Sequence, residues 1–215
     1  MRQPFPKLYA IVDRATLDAR GLAVSGFARE LREAGVRLLQ YRDKTGSPQE
    51  VLRACAEIAE AFAGADATLI LNDRADLAVL AGWNGVHVGQ RDLPVDAARS
   101  VLGIAGLVGV STHNEEQMRV AAASEADYVA VGPVFRTGSK ANAAPVVGLE
   151  GMRRARVLTA KPLVAIGGIT RENARSVVDA GADAVAVIGG LFVPGMTVAD
   201  AAGDLLRVLA QGRET

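Results

Sequence analysis

The chain has 215 residues, half of them apolar, 22% charged and 4% aromatic, with no formal net charge. That length accommodates a single α/β barrel, and the charge balance, without any aromatic-and-basic stripe, argues against a nucleic-acid partner. The N-terminus, Met1-Arg2-Gln3-Pro4-Phe5-Pro6-Lys7, lacks the apolar core of a signal peptide, and no apolar run is long enough to cross a bilayer. A cytoplasmic protein with no membrane partner is expected. The lone cysteine, Cys55, lies in a helical pattern and reads as a small buried hydrophobe.

Leu8-Tyr9-Ala10-Ile11-Val12, ending at Asp13, reads as a first buried strand. Leu22 to Ala34 is helical, with Phe27, Leu31 and Ala34 at helical spacing and Gly35 as its stop. Val36 to Leu39 forms a second strand and leads into Gln40-Tyr41-Arg42-Asp43-Lys44. Ser47-Pro48 starts a helix through Val51, Leu52, Ile58 and Phe62, with Ser as its cap and Pro in its first turn. Leu69-Ile70-Leu71 is a third strand that stops at Asn72-Asp73; Leu77 to Ala81 is a short amphipathic helix; Gly85-Val86-His87-Val88-Gly89 is a fourth strand, followed by Gln90-Arg91-Asp92. A helix then runs from Leu93-Pro94 through Val101. Ile104 to Val110 is a fifth strand ending at Ser111-Thr112-His113, and a helix with Met118, Val120 and Ala121 follows. Ala126 to Val131 is the sixth strand. Val134 to Val147 is the longest stretch without periodicity. Leu149 to Leu158 is helical, Leu163 to Ile166 is a seventh strand closed by Gly167-Gly168, and Asn173 to Ala180 is a helix. Ala184 to Ile188 is an eighth strand closed by Gly189-Gly190, and a last helix spans Val198 to Leu209.

Strands alternating with helices select an α/β fold with a parallel sheet. Glu33-Ala34-Gly35-Val36, Asn84-Gly85-Val86, Glu125-Ala126-Asp127-Tyr128 and Gly181-Ala182-Asp183-Ala184 each carry the chain into an even-numbered strand. This recurring unit favours a closed (β/α)₈ TIM barrel, one domain over residues 1–215, above an open doubly wound sheet.

In such barrels chemistry collects at the C-terminal strand ends. Asp73 and Asp92 follow neighbouring parallel strands and are expected to face one another, a natural seat for Mg²⁺, which takes one or two carboxylates and lets phosphate oxygens complete its shell. The plainer reading is two polar residues that end buried strands. Arg42, Lys44 and Lys140 place three cations nearby, suited to a metal-bridged diphosphate, although solvated surface charge is the usual fate of such residues. The glycine pairs after strands seven and eight suit a phosphate held by backbone N–H groups; read alone, each is equally a tight turn. His87, inside strand four, reads as a buried hydrogen-bonded core residue, and His113 receives no role. Trp83 and Met118 read as packing residues. No nucleophilic Ser–His–Asp, zinc or dinucleotide pattern is present.

Taken in order, these segments resemble the thiamine phosphate synthase family, whose members are (β/α)₈ enzymes. The resemblance rests on Gln40-Tyr41-Arg42-Asp43-Lys44, Asn72-Asp73-Arg74, Gly85 to Gln90 with Asp92, and Gly109 to His113, continuing through Gly132-Pro133-Val134-Phe135, Thr137-x-Ser139-Lys140 and Ala165 to Ile169. It implies a transferase that joins 4-amino-5-hydroxymethyl-2-methylpyrimidine diphosphate to 4-methyl-5-(2-phosphooxyethyl)thiazole, giving thiamine phosphate and pyrophosphate. It further implies that Gln40, Arg42, Lys44, Asn72, Ser111 and Lys140 hold the pyrimidine diphosphate. Asp73 and Asp92 would hold Mg²⁺, and Thr137, Ser139, Gly168, Ile188 and Gly189 the thiazole phosphate. The family's methylene–oxygen bond is thought to ionise first, so only stabilisation of a departing diphosphate is required of these residues.

Three departures stand out. Tyr41 replaces an aliphatic residue but, by strand alternation, points away from Gln40 and Arg42. Ser139 replaces a frequent Thr and keeps the hydroxyl. Gly189 stands where the family often has Ser, which loses one hydroxyl contact. The rival reading on the same barrel is the related thiazole tautomerase, an isomerase that typically carries His where this chain has Pro133 and has no need of the Arg42, Lys44 and Asp92 set. A non-catalytic phosphate-ligand binder is the third. The loop from Arg136 to Pro145 is expected to close over bound substrates. The substrates are small molecules, and the sequence is compatible with a homo-oligomer.

Overall fold

The computed structural model describes residues 5–138 and 145–211. Eight parallel strands close a barrel in chain order: β1 (Leu8–Asp13), β2 (Leu38–Arg42), β3 (Thr68–Asn72), β4 (Gly85–Val88), β5 (Leu107–Thr112), β6 (Tyr128–Val131), β7 (Leu163–Ile166) and β8 (Ala184–Val187). Closure comes from β8 pairing with β1, Val185 opposite Leu8 and Val187 opposite Ala10. The (β/α)₈ architecture expected from the alternation is therefore present.

Around the barrel lie α1 (Arg14–Asp18), α2 (Val24–Glu33), α3 (Pro48–Ala61), α4 (Ala75–Leu80), α5 (Val95–Leu102), α6 (Glu115–Ala123), α7 (Gly148–Leu158), α8 (Ala174–Asp179) and α9 (Val198–Ala210). Ser47 and Glu50 form a reciprocal capping box at the start of α3, with Pro48 in the first turn, as the sequence suggests. The pattern missed α1, whose five residues are too few to show a 3.6-residue period; the Asp13 carboxylate starts it by accepting the Thr16 N–H. The fifth strand begins at Leu107 rather than Ile104, because Gly103 turns the chain at φ 77° and leaves Ile104 98% exposed.

Strand alternation divides the apolar side chains into two cores. One, between sheet and helices, contains Tyr41, Cys55, Trp83 and Met118. The other fills the barrel with Tyr9, Ile11, Leu38, Ile70, Tyr128, Ala130 and Val164. Tyr41 thus faces outward while Gln40 faces the interior. Gly109 on β5 makes room for the inner Tyr128, since a Cβ there would fall 2.0 Å from that ring.

Two of the four recurring segments, those before β6 and β8, have a physical meaning at the N-terminal face. Asp127, just before β6, accepts the Val108 N–H of β5 at 2.8 Å and pairs with Arg99 of α5. Asp183, just before β8, accepts the Leu163 N–H of β7 at 2.8 Å and pairs with Arg156 of α7 at 2.7 Å. Each carboxylate ties a helix to the strand it feeds. Asp127→Ala should cost about 2 kcal/mol of stability, and Asp183→Ala less, because Asp183 is the more exposed of the two. Chemical denaturation of both variants checks the order, and an equal or inverted ranking refutes it.

Candidate active site at the barrel mouth

The strand ends that the sequence marks as chemical surround a cavity of about 660 Å³. Arg42, Lys44, Asn72, Asp73, Asp92 and Ser111 line one side. Thr137, Gly168, Ile188 and Gly189 line the other. Gln40 lies deeper, in a pocket of about 30 Å³ at the floor that it shares with Tyr9, Asn72, His87 and Ser111. Ser139 and Lys140, and with them most of the loop expected to close over substrates, lie outside the described residues.

Register explains the first of these placements. Arg42 sits directly opposite Asp13 across the β1–β2 ladder, and its guanidinium pairs with that carboxylate. Asp13 is 4% exposed and also accepts the N–H and, at 2.7 Å, the hydroxyl of Thr16. Nothing in the sequence marks Asp13 as the partner of Arg42, because Asp13 looks like any polar residue that ends a strand. Arg136, on the loop after β6, also lines the cavity, although no strand end in the sequence points to it.

Asp73 and Asp92 come together as the spacing of β3 and β4 requires. The Asp73 N–H donates to the His87 carbonyl at 2.8 Å, and the residue adopts φ 64°, a left-handed conformation that Asp tolerates better than most side chains. Its carboxyl is hydrogen-bonded to that of Asp92, and Lys44 pairs with it from the other side. Burial, reinforced by the neighbouring Asp92, raises Asp73 above the usual carboxylate range. Burial also acts to raise Asp92, but hydrogen bonds from Asp73 and from the Gly89 N–H (2.8 Å) outweigh it and hold it low. Of the two carboxyls, Asp73 is therefore the one that takes up a proton first as pH falls.

That donor set fits Mg²⁺. Two carboxylates held side by side repel one another, and a divalent cation between them relieves that repulsion. Among the described residues no cluster of three or more His, Cys, Asp or Glu side chains forms a dedicated cage, so ligand oxygens and water would complete the shell.

Asn72 carries a second mark of a binding site. It is 8% exposed, and its Nδ2 has no hydrogen-bond partner among the described residues. An orphaned buried donor is costly and is explained by an acceptor that arrives with a ligand. Across the cavity, Gly168 adopts φ 64°, and a Cβ there would lie 2.3 Å from the Arg136 carbonyl oxygen, so no other residue lets the backbone follow this path. The Gly189–Leu191 turn follows β8 directly, and its first N–H groups have no intrahelical acceptor.

His87 behaves as the sequence suggests: buried and hydrogen-bonded, with Nδ1 3.0 Å from the Tyr128 hydroxyl and Nε2 2.8 Å from Ser111 Oγ. His113 lines the cavity, its Nδ1 2.6 Å from the Gly132 carbonyl oxygen. Among the described residues no helix is long and apolar enough to cross a membrane.

The family model described as thiamine monophosphate synthase matches residues 8–191. A thiamine-phosphate synthase of Koribacter versatilis is 56% identical over 190 residues, covering 87% of this chain and 90% of that protein. One from Methanoculleus marisnigri is 40% identical over 207 residues, covering 96% and 97%. A solved thiamine phosphate pyrophosphorylase from Pyrococcus furiosus superposes with a TM-score of 0.82 at 30% identity, covering 94% of this chain and 95% of that one. With most of the chain matched at these identities and the strand-end residues gathered around one cavity, the chain belongs to the thiamine monophosphate synthase family of transferases.

Proposed function

We propose that the chain condenses 4-amino-5-hydroxymethyl-2-methylpyrimidine diphosphate with 4-methyl-5-(2-phosphooxyethyl)thiazole, forming thiamine phosphate and releasing pyrophosphate. The observation that carries this reading is the polarity of the cavity. Carboxylates and cations gather at the ends of β2 to β4, and glycine backbone faces them from the ends of β7 and β8. Two anionic heads, one chelated and one held by amides, suit such a mouth.

In this reading Asp73 and Asp92 hold Mg²⁺, whose chemistry is to neutralise charge on the leaving diphosphate. Arg42, anchored by Asp13, and Lys44 add fixed positive charge beside it, while Asn72 and Ser111 donate hydrogen bonds. The family resemblance adds Lys140 to this set of cations. Gln40 reaches the pyrimidine at the floor. Thr137, Ser139 and the backbone of Gly168, Ile188 and Gly189 take the thiazole phosphate. Ionisation of the methylene–oxygen bond asks these residues for stabilisation of the departing diphosphate rather than for a nucleophile.

Incubating the purified protein with both substrates and Mg²⁺ tests the proposal. Pyrophosphate release that requires the thiazole, with thiamine phosphate identified by mass, is the expected result. Interconversion of thiazole isomers without pyrophosphate release would replace it with the tautomerase reading.

A further inference from the structure

Five side chains on five different strands form one hydrogen-bonded chain through the barrel floor. Gln40 Nε2 (β2) lies 2.7 Å from the Tyr9 hydroxyl (β1), which lies 2.8 Å from the Tyr128 hydroxyl (β6). Tyr128 lies 3.0 Å from His87 Nδ1 (β4), and His87 Nε2 lies 2.8 Å from Ser111 Oγ (β5). Both tyrosines are fully buried and pack edge to face, with ring centroids 5.9 Å apart; the His87 ring stacks on Tyr128 at 5.5 Å. The two ends, Gln40 and Ser111, line the small pocket at the cavity floor, and Ser111 also lines the cavity above it.

Proton counting makes the chain directional. Each hydroxyl has one proton, and a neutral imidazole has one donor and one acceptor nitrogen. If the Gln40 amide donates to Tyr9, then Tyr9 must donate to Tyr128, because its own proton has no other acceptor among the described residues. Tyr128 in turn donates to His87 Nδ1, and His87 donates from Nε2 to Ser111. Ser111 is then left with a free O–H. The reverse direction requires the Gln40 amide to turn over, so that its oxygen accepts from Tyr9; Ser111 then spends its proton on His87. A mixed arrangement strands a buried phenol proton, which is costly. Burial raises both phenols well above their ordinary range, so neither loses its proton near neutrality.

We propose that Tyr9 and Tyr128 are positioning residues that lock the chain in the first direction, presenting the Gln40 carbonyl as an acceptor and the Ser111 hydroxyl as a donor to one substrate. The proposal rests on the function above. An acceptor at the floor suits the exocyclic amine of an aminopyrimidine, and a donor at the other end suits the oxygen of its diphosphate. One buried relay thereby ties recognition of the ring to stabilisation of the leaving group.

The test has two arms. In wild-type protein labelled with ¹⁵N-histidine, which has only two histidines, His87 should carry its proton on Nε2; a proton on Nδ1 overturns the proposal. In steady-state pyrophosphate release, Tyr9→Phe should raise KM for the pyrimidine diphosphate about fivefold with little change in kcat, and Tyr128→Phe should lower kcat about fivefold. In a Ser111→Ala background Tyr128→Phe should then change kcat less than about twofold. A full fivefold loss persisting in that background marks a merely structural role and overturns the proposal. If wild-type protein releases no pyrophosphate, the function above fails, while the histidine spectrum still decides the direction of the chain.

Discussion

Asp73→Asn is expected to lower pyrophosphate release on the order of 10²-fold and to raise the Mg²⁺ concentration for half-maximal rate about tenfold or more. Asn is the informative replacement because, like Asp, it tolerates the left-handed backbone at φ 64°, so the loss reports charge rather than a refolded turn. Asp92→Asn should act in the same direction. The raised Asp73 carboxyl adds a pH signature. Burial keeps the Asp73 carboxyl above the usual range, and a metal ligand must be deprotonated, so the proton competes with the cation as pH falls. Apparent Mg²⁺ affinity should therefore decline on acidification, starting at a higher pH than an unperturbed aspartate would give, and the Asp73→Asn variant should lose that dependence. Mg²⁺ titrations of turnover across pH check both parts. Unchanged metal dependence in both variants would refute the pair as the metal site.

The barrel was legible because its signal is collective. Eight apolar runs, each ending in polar or glycine residues, fix where strands stop, and closure then brings all the stops to one rim. For that reason Asn72, Asp73, Asp92, Ser111 and Gly168 could be placed around a common mouth before any coordinates. What the sequence hid depends on partners far apart in the chain. Asp13 and Arg42 are 29 residues apart and meet only through strand register. Tyr9 and Tyr128 are 119 residues apart and meet only because a closed barrel folds β6 across from β1. Their inward register was readable by alternation, but tyrosine in an apolar strand gives no sign of what its hydroxyl will touch. The repeat before even-numbered strands was visible, while its meaning in the copies before β6 and β8, a carboxylate bonded to the preceding strand's N–H and to a helix Arg, needed the geometry. The left-handed turn at Asp73, which aims its carboxylate at Asp92, leaves no compositional trace at all.

Arg42→Ala should be the most destabilising of the cavity substitutions, by about 3 kcal/mol, corresponding for a chain of this size to a fall in Tm of about 6–12 °C. The reason is the partner left behind. Asp13 is 4% exposed against 17% for Arg42, so removing the guanidinium strands a charge that water reaches poorly. Asp13→Asn should cost less, since its amide oxygen can keep accepting the Thr16 N–H and hydroxyl and the guanidinium left behind is better exposed to water than Asp13 is. The double variant Asp13→Asn/Arg42→Ala should then be more stable than Arg42→Ala alone, and thermal unfolding of the four proteins measures the coupling. Strictly additive losses would show that the pair is incidental. Turnover separates the second role of the same side chain. Arg42→Lys keeps a charge beside Asp13 and should recover much of the stability, but it loses the planar fork that can hold Asp13 and a diphosphate oxygen together. Stability restored with turnover still depressed is the expected combination. It would place Arg42 at the junction where the first strand pair both closes the barrel wall and arms its mouth.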